Sequence, residues 1–182
     1  MIALARHGET PYNVARRFQG HLPVPLTERG IAQARELAAK AAERRWSALI
    51  CSPLRRARQT AEIVAEAVGL EPIEDPRFAE TDCGDWTDRL FDDVAREHPE
   101  LFRAYITGQP DFAFPGGESF AEQQARVLEG IADIRERVRA AGGEPVLVVC
   151  HRGTIRLALA ALHGDDELRR APIPNASLVE LP

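Results

Sequence analysis

The chain has 182 residues, of which 45% are hydrophobic and 28% charged, and its formal net charge is −5. That length suits one domain with a core that buries about 70% of the unfolded surface, and the negative balance argues against non-specific binding to nucleic acid or acidic membranes. The three cysteines form no CxxC pair, and no apolar run is long enough to cross a bilayer, so a disulfide scaffold and a membrane span are both excluded from the expectation. Cys51 and Cys150 sit in apolar runs, as buried thiols do in a reducing compartment. The only N-terminal apolar stretch, Ile2-Ala3-Leu4-Ala5, meets Arg6 at once and does not read as a signal peptide. A cytoplasmic protein is expected.

In chain order, Ile2–Ala5 predicts a first strand that stops at Arg6-His7-Gly8-Glu9-Thr10. A helix is expected from Thr27 to about Arg45, with Ile31, Ala34, Ala38 and Ala41 on one face. Ser47–Cys51 reads as a second strand and runs into Ser52-Pro53-Leu54-Arg55. The next helix, Leu54–Val68, carries a stripe of Ala57, Ala61, Val64 and Val68 and stops at Gly69. A long helix from about Ser119 to Ala140 opens on the capping box Ser119-Phe-Ala-Glu122. Pro145–Cys150 is a third apolar strand, followed by His151-Arg152-Gly153-Thr154 and a helix with Ile155, Leu159 and Leu162 inward.

Continuous apolar strands are covered on both faces. Their alternation with helices predicts an α/β fold, a three-layer α/β/α sandwich around a mostly parallel central sheet. One domain, 1–182, is expected. Within it, 76–118 departs from the pattern, with short amphipathic pieces at Leu90–His98 and Leu101–Thr107 and a Gly/Pro-rich Phe114-Pro115-Gly116-Gly117. Such an insertion is expected to form a helical and loop lid over the site.

Ligands of open parallel sheets bind beyond the carboxyl ends of the strands. Three such ends here deliver Arg6 with His7, Arg55, and His151 with Arg152 to one location. A neutral imidazole can attack phosphorus and form a phosphohistidine, provided cations surround the equatorial oxygens. His7 is the expected nucleophile, with Gly8 at its turn, and Arg6, Arg55 and a protonated His151 as the cationic partners. Arg6 and Arg55 should be costly to lose. Glu80 is the expected proton donor, its pKa raised by aromatic neighbours; Glu9 competes for that role but directly follows the nucleophile. A neutral His7 and a charged His151 should together give a pH optimum with losses on both sides.

Several motifs in order, Arg6-His7-Gly8-Glu9-Thr10 with Asn13, Pro25–Gly30, Ser52–Thr60, Glu80…Gly84-x-Trp86, Pro115–Ser119 and the late His151, resemble the histidine phosphatase superfamily in its phosphoglycerate-mutase-like branch. The resemblance spans nearly the whole chain. It implies a phosphomonoesterase acting on a small phosphate ester, with His7 as nucleophile, Glu80 as proton donor and a phosphate pocket of Arg6, Arg55 and His151 helped by Asn13 and Gln19. No metal or cofactor is implied, and the sequence shows no metal-ligand spacing. Departures lie at Arg152, where the family has a second small residue, at Thr87-Asp88, and at Pro23-Val24. They leave the reaction standing and the substrate open; Arg152 suits either an anionic substrate or an acidic neighbour. Three alternatives remain: phosphoglycerate-mutase-type transfer, an inactive phosphate-binding module, and a phosphatase built on Cys150 and Arg156 in Cys-x₅-Arg spacing.

Overall fold

The computed structural model describes residues 1–140 and 142–182. Its sheet has five strands, β1 (Ile2–Arg6), β2 (Ala48–Cys51), β3 (Pro72–Glu74), β4 (Val146–Cys150) and β5 (Leu178–Glu180), in the order β3-β2-β4-β1-β5. All pairings are parallel except β1 with β5. Among the described residues seven α-helices follow the chain: α1 (Pro11–Ala15), α2 (Glu28–Ala41), α3 (Arg55–Val68), α4 (Phe91–Glu97), α5 (Pro99–Thr107), α6 (Phe120–Ala140) and α7 (Arg152–His163). None is long and apolar enough to cross a membrane, among the described residues.

The pleat sorts each central strand between two cores. Ile2, Leu4, Val146, Val148 and Cys150 face Val127, Ile131 and Ile134 of α6 and Ile155, Ala158 and Leu159 of α7. The alternate residues Ala3, Ala5, Leu49, Leu147 and Val149 face Leu37, Ala38 and Ala41 of α2 and Ala57, Ala61 and Val64 of α3. Helices thus cover both faces, which explains why β1 and β4 are apolar without alternation. The expected layers and the four long helices are present. The capping box holds α6 as read: Ser119 Oγ accepts from Glu122 N at 3.1 Å, and Ser119 N donates to the Glu122 carboxylate at 2.9 Å.

Two edge strands and α1 have no counterpart in the sequence reading. β3 and β5 are three residues each and half-exposed, so neither carries an apolar run. Helix α1 has no buried residue and owes its start to Thr10, whose side chain accepts from Asn13 N while Asn13 Oδ1 accepts from Thr10 N. Residues 76–118 hold α4, α5 and two 3₁₀ turns around an aromatic cluster of Phe18, Trp86, Phe91, Phe102, Tyr105, Phe112, Phe114 and Phe120. Trp86 is 1% exposed within that cluster.

The turn after β1 is clamped by backbone against backbone. A Cβ on Gly30, in the first turn of α2, would stand 2.1 Å from the Glu9 carbonyl oxygen, and one on Gly8 would stand 2.3 Å from the Gly30 carbonyl oxygen. Gly→Ala inside a helix normally stabilises by about 1 kcal/mol. Here the contact reverses the sign: Gly30→Ala is expected to destabilise by about 2 kcal/mol or more, as overpacking does. Gly69→Ala, with nothing within 4 Å but φ at +70°, should cost about 1 kcal/mol. Urea denaturation of the two variants checks the order, and a Gly30→Ala protein as stable as the parent contradicts it.

Candidate active site

The register of the parallel strands assembles the site. Arg6 is paired with Cys150, so β1 and β4 end side by side and the next residues of each, His7 and His151, become neighbours. His7 N donates to the Cys150 carbonyl at 3.0 Å, and the two imidazoles lie 5.2 Å apart, inclined at 59°. Cys51 is paired with Val149, so Ser52 leaves β2 beside the same point, with its N–H on the Val149 carbonyl at 2.9 Å. Beyond these ends lies a cavity of about 640 Å³, lined among others by Arg6, His7, Asn13, Gln19, Arg56, Glu80, Arg152 and Gly153. That is the size of a small-molecule site.

His7 is 2% exposed. Its Nδ1 is 2.7 Å from the Gly8 carbonyl oxygen, which can only accept, so Nδ1 carries the proton and Nε2 keeps its lone pair. Burial first, then Arg56 and Arg6, hold the imidazole well below its ordinary pKa. It is neutral at physiological pH. Asn175 Nδ2 donates to the His7 carbonyl at 3.0 Å and to Asn13 Oδ1 at 3.1 Å, fixing this backbone from the C-terminal side.

Arg6 is 8% exposed and gives Nη1 to the Ile173 carbonyl at 2.6 Å. Arg56 is 1% exposed and gives Nη2 to the Gly20 carbonyl at 2.9 Å. Neither has a carboxylate within ion-pair distance among the described residues, and each leaves a buried Nε–H without a partner. Burial is the leading cause that lowers both pKa values to about 10, still far above neutrality, so both remain charged.

Arg55 is corrected. It is exposed at the first position of α3 and does not line the cavity; Arg56 does. Successive helical residues point about 100° apart, so only one of two adjacent arginines can face the site. The signal was present in the sequence: stepping back four residues at a time from the buried positions Val64 and Thr60 reaches Arg56.

His151 is fully buried behind His7 and does not line the cavity. Its Nε2 is 2.7 Å from Ser52 Oγ, and its Nδ1 has no partner. Burial, then Arg56 and His7, push it well below its ordinary pKa, so the protein holds a neutral imidazole here in place of the expected imidazolium. Gly8 also stays out of the cavity wall: its N–H is given to Thr60 Oγ1 at 3.1 Å, and its missing Cβ admits Gly30. Asn13 and Gln19 do line the cavity. Gln19 Oε1 accepts from Thr10 Oγ1 at 2.9 Å, which leaves its amide N–H groups as the free donors.

Glu80 lies on the cavity wall, and its environment also differs from the expectation. Burial works to raise its pKa, but Arg56, Gln123 Nε2 at 3.1 Å, Gly153 N at 3.2 Å and Thr81 N at 3.1 Å outweigh burial and hold it below its ordinary value. The amide of Gly153 in the first turn of α7 is therefore spent on this carboxylate, at the positive end of the helix. A Cβ at Gly153 would stand 2.4 Å from Glu80 Oε1 and displace the carboxylate from this position.

Cys150 is fully buried, absent from the cavity wall, and its thiol is pushed far up by burial, so it cannot supply a thiolate. Sequence reasoning missed Arg56, Asn175 and Gln123 altogether, and used Arg156 only in the cysteine alternative.

Comparison with known proteins fits this geometry. The family model for the histidine phosphatase superfamily (branch 1) matches residues 2–182. The chain is 36% identical over 165 residues to phosphoserine phosphatase 1 of Hydrogenobacter thermophilus, covering 91% of this chain and 77% of that protein. It is 37% identical over 179 residues to the probable phosphoglycerate mutase GpmB of Serratia proteamaculans, covering 97% and 82%. Among solved structures, a mycobacterial glucosyl-3-phosphoglycerate phosphatase in complex with VO3 superposes with a TM-score of 0.88 at 31% identity, over 97% of this chain and 90% of that one. With a whole-length match and paired histidines at the ends of two parallel strands, the chain belongs to the histidine phosphatase superfamily, branch 1.

Proposed function

We propose that this protein hydrolyses phosphate monoesters of small molecules through a covalent phosphohistidine on His7, with Glu80 carrying the proton. The observation that carries the proposal is the His7 tautomer: Nδ1–H is tied to the Gly8 carbonyl, and the lone pair of Nε2 belongs to a cavity edged by Arg6, Arg56 and Glu80. Nε2 attacks phosphorus as the ester P–O bond breaks, and the leaving oxygen takes the proton from Glu80. Glu80 then accepts a proton from water, which attacks phosphorus and breaks the N–P bond to release inorganic phosphate. Arg6 and Arg56 neutralise the equatorial oxygens without reorganising. Residues 76–118, whose Phe91, Phe102, Tyr105 and Phe114 line the cavity, act as the lid. Relatives named as phosphatases support the hydrolytic direction, while the mutase-named relative keeps transfer to a second substrate as the outcome to be tested.

The fate of the phosphoryl group decides between them. Incubated with a panel of monoesters including 3-phosphoglycerate, the protein is expected to release inorganic phosphate in step with ester loss; interconversion of 2- and 3-phosphoglycerate with little free phosphate contradicts the proposal. Arg56→Ala should lower kcat/KM about 10²–10³-fold, the scale of losing one preorganised donor to the transition state. Arg55→Ala, an exposed change, should stay within about twofold. Equal losses for the two arginines contradict the placement.

The pH profile follows from the shifts. His7 is neutral across the working range, so no imidazole limb arises from it. Glu80 is held ionised, so the proton enters on the ester monoanion, whose second ionisation lies at about pH 6, and passes to Glu80 in the complex before the leaving oxygen takes it. Above that pH the ester arrives without the proton and kcat/KM falls about tenfold per unit. Below the depressed pKa of Glu80 its carboxylate is already protonated and kcat/KM falls again. The optimum should lie on the acid side of neutrality, about pH 5–6. An optimum above pH 8 with chemistry rate-limiting contradicts this proton inventory.

A further inference from the structure

The cavity holds more positive charge than one phosphoryl group uses. Arg152 and Arg156 stand four residues apart on α7 and both line the cavity, where like charges at this spacing repel. Neither has a carboxylate within ion-pair distance among the described residues. Among the described residues, the Arg152 side chain makes one hydrogen bond, from Nη2 to the Tyr105 hydroxyl at 3.3 Å. Arg156 is pinned by Nε to the Ala171 carbonyl at 2.8 Å and by Nη2 to the Arg170 carbonyl at 3.3 Å. Arg169 joins them on the cavity wall. Its side chain is 8% exposed, with Nε on Asp166 and Nη2 on Gln124, both at 2.8 Å, and Nη1 is buried with no partner. A buried guanidinium N–H without an acceptor is costly, and a wall on which Arg152 and Arg156 have no carboxylate partner among the described residues, and Arg169 keeps one N–H free, selects anions in a confined site.

We propose that Arg152, Arg156 and Arg169 form a second oxyanion subsite that holds a carboxylate or second phosphate on the substrate while the ester phosphoryl group faces His7. This rests on the phosphoryl site proposed above and specifies its substrate class. Arg152 directly follows His151, and one helical turn, about 5.4 Å, separates it from Arg156. The second anion therefore belongs on a short carbon chain, within a few atoms of the ester oxygen. Arginine suits this duty because its planar fork matches both carboxylate and phosphate oxygens. Charge remote from the reacting centre then contributes binding energy that orients the phosphoryl group.

The test compares three esters of similar length on the unaltered protein: 3-phosphoglycerate with its carboxylate, 1,3-propanediol bisphosphate with its second phosphate, and propyl phosphate with neither. At least one ester with a second anionic group is expected to exceed propyl phosphate in kcat/KM by about tenfold or more, the scale of one charge-assisted hydrogen bond, and which one identifies the oxyanion. In Arg156→Gln and in Arg169→Gln that ratio should fall about tenfold or more, whatever the absolute rate. The same preference should appear in equilibrium affinity for His7→Asn, which cannot be phosphorylated. A parent ratio near one, or a ratio unchanged in both variants, overturns the subsite. Equal loss on all three esters assigns these arginines to the phosphoryl group instead and overturns it too. If His7→Asn binds an ester with a second anionic group preferentially but the parent releases phosphate from none of the three, the subsite stands and the hydrolase proposal fails.

Discussion

One imbalance of charge governs the cavity. Among the described residues, Arg6, Arg56, Arg152 and Arg156 line it with no carboxylate in ion-pair contact, and Glu80 is the acid set among them. In a confined site of low effective dielectric such a surplus acts on every titratable neighbour. It adds to burial in keeping the His7 and His151 imidazoles neutral, and with the hydrogen bonds to Glu80 it holds that carboxylate ionised against its own burial. A nucleophile, a carboxylate and a demand for anions thus answer to the same cations. The cost is borne by the fold, through backbone carbonyls of Gly20, Leu22 and Ile173 that take up part of the guanidinium hydrogen bonding.

Topology sets where that surplus gathers. Parallel pairing of Arg6 with Cys150 and of Cys51 with Val149 brings three chain exits to one edge of the sheet. Backbone contact between Gly8 and Gly30 then fixes the turn on which His7 sits, and Asn175 reaches it from just before β5. The small residues at these positions are requirements of distance. No flexible side chain could stand aside where the neighbour is a carbonyl oxygen 2.1–2.3 Å from the missing Cβ. At Gly153 the missing Cβ leaves room for a side chain instead, the Glu80 carboxylate, at the start of α7.

The layered fold was readable because its signals are local. Doubly buried strands are uniformly apolar, and the stripes of α2, α3, α6 and α7 repeat at helical period. The edge strands β3 and β5 were not readable, since three half-exposed residues give no period and depend on a partner strand already in place. Motif and position point to His7, Arg6 and Glu80, which line the cavity, whereas a strand-end argument reaches Arg55 in place of Arg56 because it locates a segment without assigning a helical face. The charge states of His151 and Glu80 could not be read at all. They are set by burial together with Arg56, His7, Gln123 and the Gly153 amide, the last of these 73 residues from Glu80 in the chain. Arg169 and Asn175 likewise acquire meaning only once the segment after α7 folds back over the cavity.

The claim on which the account depends is that His7 stands as a neutral imidazole of one tautomer, with the proton on Nδ1 and the lone pair on Nε2. Nitrogen-15 NMR of imidazole-labelled protein, followed from pH 5 to pH 8, observes this directly. The account requires a protonated-type Nδ1 and an unprotonated-type Nε2 for His7, with no titration across that interval. A His7 that titrates within it, or that carries its proton on Nε2, contradicts the account.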